Sequence, residues 1–197
     1  MSGVTVETLA DPAARAAALP DLARLRITVF REWPYLYDGT LAYEERYLAH
    51  FLDAPDAVLI IARDGDAIVG AATASLMAGQ EEAVRAPFEA AGHDVARLAY
   101  FGESVLLPSY RGQGIGHGFF DHREAAARAM GADAACFCGV IRPLDHPLRP
   151  AGIRDLGPFW RARGYAPIEG MIAHYDWKDI DQPAETRHPM QFWHRTL

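Results

Sequence analysis

The sequence predicts a single α/β domain with a mixed, mostly antiparallel sheet of about six to seven strands and helices packed against it. Three observations predict this class. The chain has 197 residues, 50% of them hydrophobic and 23% charged, which fits one folded domain over residues 1–197. Two apolar runs around a turn near the middle form a hairpin, which pairs strands antiparallel. Later segments follow the order strand, helix, strand, which is typical of parallel pairing.

The first elements are a strand and helices. Residues 4–9 alternate β-branched with polar residues and predict the opening strand. A helix is expected from about Asp11 to Phe30, and Pro20 should divide it into two pieces. Residues 32–39 form an irregular loop rich in aromatic side chains, and residues 41–52 return to a helical pattern.

The central segments predict strands. Residues 57–77 read as the hairpin, with its turn at Asp64 and Gly65. A polar, alanine-rich segment then predicts a short helix, and residues 99–108 have the composition of a strand. Gly102 interrupts that strand and indicates a bulge or a close approach of another backbone.

The C-terminal third predicts alternating helices and strands. A helix is expected from about Gly114 to Met130, a strand over 134–141, a short helix within 156–165 and a strand over 171–177. The final segment, residues 186–197, could supply an edge strand to a homodimer.

Composition and charge restrict the classes of function. A formal net charge of −7 and a pI near 5.6 argue against a nucleic-acid partner. No stretch approaches the roughly 20 apolar residues that cross a bilayer, and the N-terminal residues lack the pattern of an export signal. We therefore expect a cytoplasmic protein with neither a nucleic-acid nor a membrane partner.

The metal-binding residue types show no metal-site spacing. Cys136 and Cys138 are the only cysteines and would project from one face of a strand, which predicts buried, reduced thiols. The eight histidines are scattered along the chain without a ligand motif. We expect no metal.

Four alternating glycines carry the main functional signal. Gly112, Gly114, Gly116 and Gly118 lie between a predicted strand and a predicted helix. Glycine admits positive φ and close approach of a ligand to the backbone. The first N–H groups of a helix have no partner within it, and with the helix dipole they favour an anion. We therefore expect this loop to bind a pyrophosphate, the alternative being a tight connection without a ligand.

Two familiar phosphate-binding motifs do not fit this loop. A P-loop requires lysine and a hydroxyl residue after its last glycine, and neither is present. The dinucleotide motif G-x-G-x-x-G fails because His117 or Phe119 occupies its last glycine position, depending on the starting glycine. A nicotinamide-dependent oxidoreductase is therefore disfavoured.

The stretch VLLPSYRGQGIG resembles the acetyl-CoA-binding motif of the GCN5-related N-acetyltransferase (GNAT) superfamily, Arg/Gln-x-x-Gly-x-Gly/Ala after a strand. The order of elements is similar over nearly the whole chain. The resemblance implies the acyl-CoA N-acyltransferase fold and an acetyl-CoA-dependent N-acetyltransferase. Such an enzyme moves the acetyl group to an amine, carried by a small molecule or a peptide, by direct attack in a ternary complex.

The resemblance also implies roles for particular residues. The strand before the loop would pair with the pantetheine arm, and the loop would bind the pyrophosphate through its amides. The cofactor-binding residues implied in this way are Ser104, Val105, Leu106, Arg111, Gly112, Gln113, Gly114, Ile115, Gly116 and His117.

Glu103 is the candidate catalytic residue. It lies on the strand that would carry the thioester, where family members often place a carboxylate that deprotonates the amine. The alternative is a strand carboxylate that faces solvent or pairs with an arginine. The usual acid, a tyrosine after the fifth strand, is replaced by Trp160. That replacement motivates a second hypothesis, a catalytically inactive acyl-CoA-binding or sensing module.

The aromatic loop is the candidate acceptor site. The superfamily builds this site between the first two helices, where Trp33, Tyr35, Tyr37 and Asp38 lie. Three aromatic rings and one carboxylate would suit an amine. The alternative is a packed aromatic loop that covers the edge of the sheet.

Overall fold

The computed structural model describes residues 3–52 and 54–197, and within them the chain forms one seven-stranded sheet. The strands are β1 (Thr5–Leu9), β2 (Val58–Asp64), β3 (Ala67–Leu76), β4 (Leu98–Leu106), β5 (Ala134–Val140), β6 (Ala166–Lys178) and β7 (Glu185–Thr196). The sheet order is β1-β2-β3-β4-β5-β7-β6, and the only parallel pair in this described sheet is β4 with β5. The predicted mixed, mostly antiparallel sheet is confirmed.

Helices cover both faces of the sheet. They are α1 (Pro12–Phe30), α2 (Leu41–Leu52), α3 (Glu82–Ala90), α4 (Ile115–Ala129) and α5 (Gly157–Ala162). On one face, Leu22 of α1 and Leu48 of α2 pack with Leu59 and Ile61 of β2. On the other face, α4 places its apolar side chains against the same central strands, including Phe119 against Ile60.

Helix α1 is continuous, so the predicted division at Pro20 is wrong. Asp11 caps the helix, and its carboxylate accepts a hydrogen bond from the N–H of Ala14 at 3.1 Å. Ala18 and Leu22 lie on either side of Pro20 and are both buried against the sheet. This burial offsets the one backbone hydrogen bond that proline removes.

The C-terminal segment is an interior strand, so the prediction of an edge strand for a homodimer is wrong. Strand β7 pairs with β5 on one side and with β6 on the other. Phe192 and Trp193 of β7 are buried on opposite faces of the sheet, and such a strand is stable only when it is covered on both. The outer positions of the described sheet belong to β1 and β6.

The remaining elements follow the predicted order. The hairpin turns at Gly65, whose φ is +57°, and α4 ends before Gly131, whose φ is +84°. Strand β6 is longer than the predicted 171–177 and contains an irregularity between Pro167 and Ile172. Among the described helices, none is long and apolar enough to cross a membrane.

Candidate active site

Strands β4 and β5 separate partway along their length. They pair only where Leu98–Tyr100 of β4 lies beside Ala134–Cys136 of β5. Beyond Tyr100, β4 remains paired with β3 as far as Leu106, and β5 remains paired with β7 as far as Val140. The facing edges of β4 and β5 are therefore unpaired in this part of the described chain. Backbone groups on these edges that have no ladder partner can bind an amide-containing ligand.

The predicted cofactor residues of β4 lie along this opening. Ser104 is exposed, the Val105 side chain is buried in the core beside α1, and Leu106 is half-buried. The carbonyl of Leu106 accepts a hydrogen bond from Arg111 Nε at 3.2 Å. The Leu107 N–H donates to Val69 O of β3, and because such positions alternate along an antiparallel strand, the Val105 backbone also faces β3, whereas that of Ser104 and Leu106 faces β5.

A β-bulge precedes these residues and confirms the first interpretation of Gly102, whereas the close neighbour of this glycine is a side chain and not another backbone. Thr73 of β3 stands opposite two residues of β4, Gly102 and Glu103. A Cβ on Gly102 would lie 2.5 Å from Thr73 Oγ1, which leaves room only for glycine. The N–H of Glu103 donates to the same Thr73 oxygen at 3.2 Å.

The bulge decides which way Glu103 points. Without it, Glu103 would share a face with Phe101, which packs against Phe120 of α4. With it, the alternation shifts by one residue, and Glu103 lies on the α1 and α2 face together with Val105. The carboxylate is thereby placed beside the opening between β4 and β5.

An ion cluster surrounds the Glu103 carboxylate. Arg26 Nη1 donates to Glu103 Oε2 at 2.7 Å, and Arg26 Nε donates to Glu44 Oε2. Glu44 is fully buried and Glu103 is 8% exposed. Burial lowers the pKa of the Arg26 guanidinium, but the charges of Glu103 and Glu44 outweigh this effect and raise it above the ordinary value. Arg26 therefore remains a cation between two carboxylates.

Tyrosines enclose this cluster. The Tyr47 ring covers the Arg26 guanidinium at 4.6 Å, and desolvation together with the Glu103 charge raises the pKa of Tyr47 to about 12. Burial, followed by the charge of the nearby Glu44, raises the pKa of the Tyr37 hydroxyl. These phenols stay neutral and act as hydrogen-bond donors at physiological pH.

The four predicted acceptor residues separate into two groups. Tyr35 and Tyr37 face the cluster, and burial with the charge of the nearby Cys138 thiol raises the pKa of Tyr35. The Trp33 ring lies 5.4 Å from the His146 ring, in the loop after β5. Asp38 pairs with Lys178 at 2.8 Å and with Arg31 at 2.9 Å, and these partners lower its pKa. The charge of Asp38 is thus already neutralised, whereas Glu44 and Glu103 share one cation.

A buried arginine fixes the acceptor loop. Arg142 donates to the carbonyls of Pro34 at 2.8 Å and Tyr35 at 2.6 Å, and it forms two hydrogen bonds with the Asp179 carboxylate. Trp177 Nε1 also donates to the Tyr35 carbonyl, at 3.0 Å. The loop that carries Tyr35 and Tyr37 is therefore held by the loop after β5 and by the end of β6.

Three polar side chains lie close together at the base of the opening, where β4 and β5 separate. The Tyr100 hydroxyl lies 3.5 Å from Cys138 Sγ and 3.4 Å from the Tyr175 hydroxyl. Burial raises the pKa of both Cys136 and Cys138, so both thiols are protonated at neutral pH. Trp160 packs against Phe137 at 5.0 Å, in the apolar core on the other face.

The glycine loop combines left-handed backbone with free N–H groups. Gly112 and Gly114 have φ of +77° and +84°, and open space surrounds the position of a Cβ on each. Gly114 caps α4 without a side-chain hydrogen bond. The N–H groups from Gly112 to Gly116 have no hydrogen-bond acceptor among the described residues, whereas the His117 N–H bonds Gly114 O at 2.9 Å. This arrangement suits an anion.

Of the other two glycines, Gly118 serves packing, whereas Gly116 has room for a Cβ. A Cβ on Gly118 would lie 3.1 Å from Val6 of β1, and one on Gly116 would lie 3.5 Å from the Phe159 ring. The alternation of four glycines therefore has two causes. Gly112 and Gly114 provide positive φ, while Gly118 permits the close approach of α4 to β1.

The predicted side chains of the loop point in different directions. Arg111 forms an ion pair with Glu32 at the end of α1, at 2.8 Å. Gln113 Nε2 donates to Ser109 O at 3.0 Å, and the Ile115 side chain is buried in the core. His117 is exposed, with its ring 5.0 Å from that of Phe159. Arg111 and His117 thus remain accessible near the free N–H groups.

Sequence reasoning named an arginine partner as the alternative for Glu103, and the structure shows that pairing, but neither Arg26 nor Glu44 was identified. Arg26 falls on the apolar stripe of α1 that includes Leu22 and Leu25, and a charged residue in such a stripe signals a buried ion pair. Glu44 precedes the buried Leu48 by one helical turn, which gives the same signal on α2. Nothing in the sequence indicated that Arg142 fixes the acceptor loop.

Comparison with known proteins agrees with this architecture. Residues 22–150 match the model of the acetyltransferase (GNAT) family. A ribosomal-protein-alanine N-acetyltransferase from Brucella melitensis has a similar fold, with a TM-score of 0.62 at 13% identity over 98% of this chain and 99% of that one. A GCN5-related N-acetyltransferase from Kribbella flavida gives a TM-score of 0.58 at 16% identity over 98% of both chains.

An acetyltransferase from Thermus thermophilus is similar to the same extent, with a TM-score of 0.58 at 16% identity, covering 98% of this chain and 97% of that chain. No curated protein matches by sequence. The structural likenesses establish the fold, and the family match covers well over half of the sequence. The chain therefore belongs to the acetyltransferase (GNAT) family, whose general activity is acetyl transfer.

Proposed function

We propose that the protein is an acetyl-CoA-dependent N-acetyltransferase in which Glu103 is the general base and the amine attacks directly in a ternary complex. The observation that carries this proposal is the bulge at Gly102. It turns a buried carboxylate toward the point where β4 and β5 separate. Bulges occur often beside active sites, and here Gly102 lets the bulged strand approach Thr73 closely.

The residues present fit acetyl-CoA. The free N–H groups from Gly112 to Gly116 would bind the pyrophosphate, with Arg111 and His117 accessible beside them. On the edge of β4 that faces β5, the backbone of Ser104 and the N–H of Leu106 would pair with the amides of the pantetheine arm, beside the buried side chain of Val105. When bound, acetyl-CoA supplies an acetyl group activated as a thioester.

Glu103 would remove the proton that prevents an amine from attacking. An alkylammonium ion has a pKa of ~10.4, so it carries no free electron pair at neutral pH. The Glu103 Oε1 atom is buried and has no hydrogen-bond partner among the described residues, so it is available as an acceptor, while Oε2 is held by Arg26. Arg26 thus fixes the orientation of the carboxylate and leaves one oxygen for the proton.

Direct transfer is supported by the state of the cysteines. A covalent acyl-enzyme would need a thiolate, yet burial keeps Cys136 and Cys138 protonated. Trp160 lies in the core and has no acidic proton to give. The leaving thiolate would therefore take its proton without a dedicated tyrosine at that position.

The test is acetyl transfer with Glu103→Gln and a matched control. Glu169→Gln removes one negative charge from an exposed position on β6. We expect Glu103→Gln to lower kcat by about 10²- to 10⁴-fold with acetyl-CoA affinity retained, and the control to behave as the parent. Thiol release across a panel of amines, with calorimetric titration of acetyl-CoA, measures both. Coenzyme binding without transfer to any amine would instead favour the inactive module.

A further inference from the structure

The ion cluster at Glu103 lacks one positive charge. Arg26 is the only cation hydrogen-bonded to either Glu44 or Glu103 among the described residues, so two carboxylates share one guanidinium. Arg123 reaches Glu103 only through space, since its guanidinium lies over the Phe101 and Phe120 rings on the opposite face of the sheet. The hydrogen-bonded cluster therefore has a net charge of −1.

The same cluster lacks two hydrogen-bond donors. Glu44 Oε1 and Glu103 Oε1 are both buried, and neither has a partner in the described structure. Unpaired buried carboxylate oxygens are costly, and proteins keep them where a ligand satisfies them. An ammonium group supplies what is missing, because it carries one positive charge and three N–H donors.

The surroundings favour an alkyl chain behind that ammonium group. The Tyr47 ring lies over Arg26 and is itself 46% exposed, so Tyr47 separates the ion cluster from solvent. Tyr37 also lies near Glu44, whose charge contributes to the raised pKa of the phenol, and its ring adds apolar surface beside the carboxylates. Aromatic rings beside carboxylates accommodate methylene groups and cations, whereas they offer nothing to a second carboxylate.

Resting on the function proposed above, we infer that Glu44 is a second acceptor-binding carboxylate and that the acceptor is an alkylamine with no anionic group next to its nitrogen. The acceptor binds as an ammonium ion at the Oε1 atoms of Glu44 and Glu103, which Arg26 leaves without a partner. Glu103 then takes the proton, and Glu44 keeps its charge and its bond with Arg26. A free α-amino acid is disfavoured because its carboxylate would meet two like charges in a buried site.

The first test compares pentylamine with norleucine, which differ only by the carboxylate on the carbon that bears nitrogen. Each is titrated by calorimetry into the full-length protein saturated with coenzyme A. We expect pentylamine to bind at least about tenfold more tightly. Equal or tighter binding of norleucine overturns the inference, as does the absence of binding by pentylamine.

The second test uses Glu44→Gln, which keeps the shape of the side chain and an oxygen for Arg26 but removes the charge. The matched control is Glu45→Gln, an exposed neighbour on the same helix. We expect Glu44→Gln to reduce the preference for pentylamine over norleucine to about unity, with acetyl-CoA binding unchanged. A loss of stability alone would leave that preference intact, so an unchanged preference refutes the role of Glu44. Should Glu44→Gln fail to fold, the comparison in the parent protein still decides.

These experiments separate the two proposals. Pentylamine that binds but is not acetylated contradicts the proposed function and leaves the acceptor site standing. Acetylation of norleucine in preference to pentylamine supports the transferase and refutes the inference about Glu44.

Discussion

Two glycines at the ends of α4 allow a controlled test of the phosphate site. Gly114 and Gly131 both have φ of +84°, and both have open space around the position of a Cβ. Glutamate at either position introduces the same backbone strain, of about 1–2 kcal/mol, and the same negative charge. Only Gly114 lies among the free N–H groups at the start of the helix.

The expected loss of affinity follows from the position of the charge. A carboxylate at about 4 Å from one phosphate charge opposes it by about 1 kcal/mol in water and about 4 kcal/mol at an effective dielectric constant of 20. Gly114 is exposed, so the lower half of this range applies, about 1–2 kcal/mol. The dissociation constant of acetyl-CoA should therefore rise about 5- to 30-fold in Gly114→Glu.

The control, Gly131→Glu, should destabilise the fold at least as much as Gly114→Glu does. A negative charge at Gly131 lies beyond the C-terminal end of α4, where the helix dipole disfavours it by about 0.3–1 kcal/mol. Gly131→Glu should therefore be no more stable than Gly114→Glu, yet it should bind acetyl-CoA as the parent does. Calorimetric titration of the three proteins, with thermal unfolding of each, measures both properties. Equal affinity of the two variants would refute the assignment of the phosphate site to this loop.

Three further predictions concern the bulge, the acceptor loop and the tyrosines. Gly102→Ala should destabilise the protein by about 1–3 kcal/mol and reduce turnover, because its Cβ would lie 2.5 Å from Thr73 Oγ1. Denaturant unfolding measures the loss of stability. The control is Gly79→Ala, where the atom nearest to the new Cβ would be at 3.9 Å. Arg142→Lys should lower stability by about 2–3 kcal/mol and raise the KM for the amine, because lysine lacks the planar fork with which Arg142 bonds two carbonyls and a carboxylate. The control is Arg149→Lys, an exposed change in the same loop. Equal effects of the two substitutions would contradict the role of Arg142 in fixing the loop that carries Tyr35. Seven of the eight tyrosines have raised pKa values, so phenolate absorbance of the native protein should develop mostly above pH ~10, the value expected after unfolding. Above pH ~10 the unfolded chain loses phenol protons that the folded chain retains, so the free energy of unfolding should fall as the pH rises. A native titration that coincides with that of the unfolded protein would show that the tyrosines are not buried.

Local sequence determined the elements and the backbone conformation of the glycine loop. Hydrophobic periodicity, the Asp11 cap and the turn at Gly65 depend on neighbouring residues, so their structures could be predicted without knowledge of the fold. Gly112 and Gly114 belong to the same class, because positive φ is a property of one residue. The bulge at Gly102 was also predictable, since glycine inside a strand has few other causes.

Tertiary structure decided the chemistry of the site. Arg26, Glu44 and Glu103 come from three elements that are distant in sequence, and only packing of α1 and α2 on β4 brings them together. The position of β7 between β5 and β6 is also a tertiary property, because both faces of this strand carry side chains that must be buried. A single sequence records the residue types but not these long-range pairings. For that reason Asp38 was predicted as the anion of the acceptor site, although its charge is neutralised by Lys178, while the buried Glu44 was not singled out.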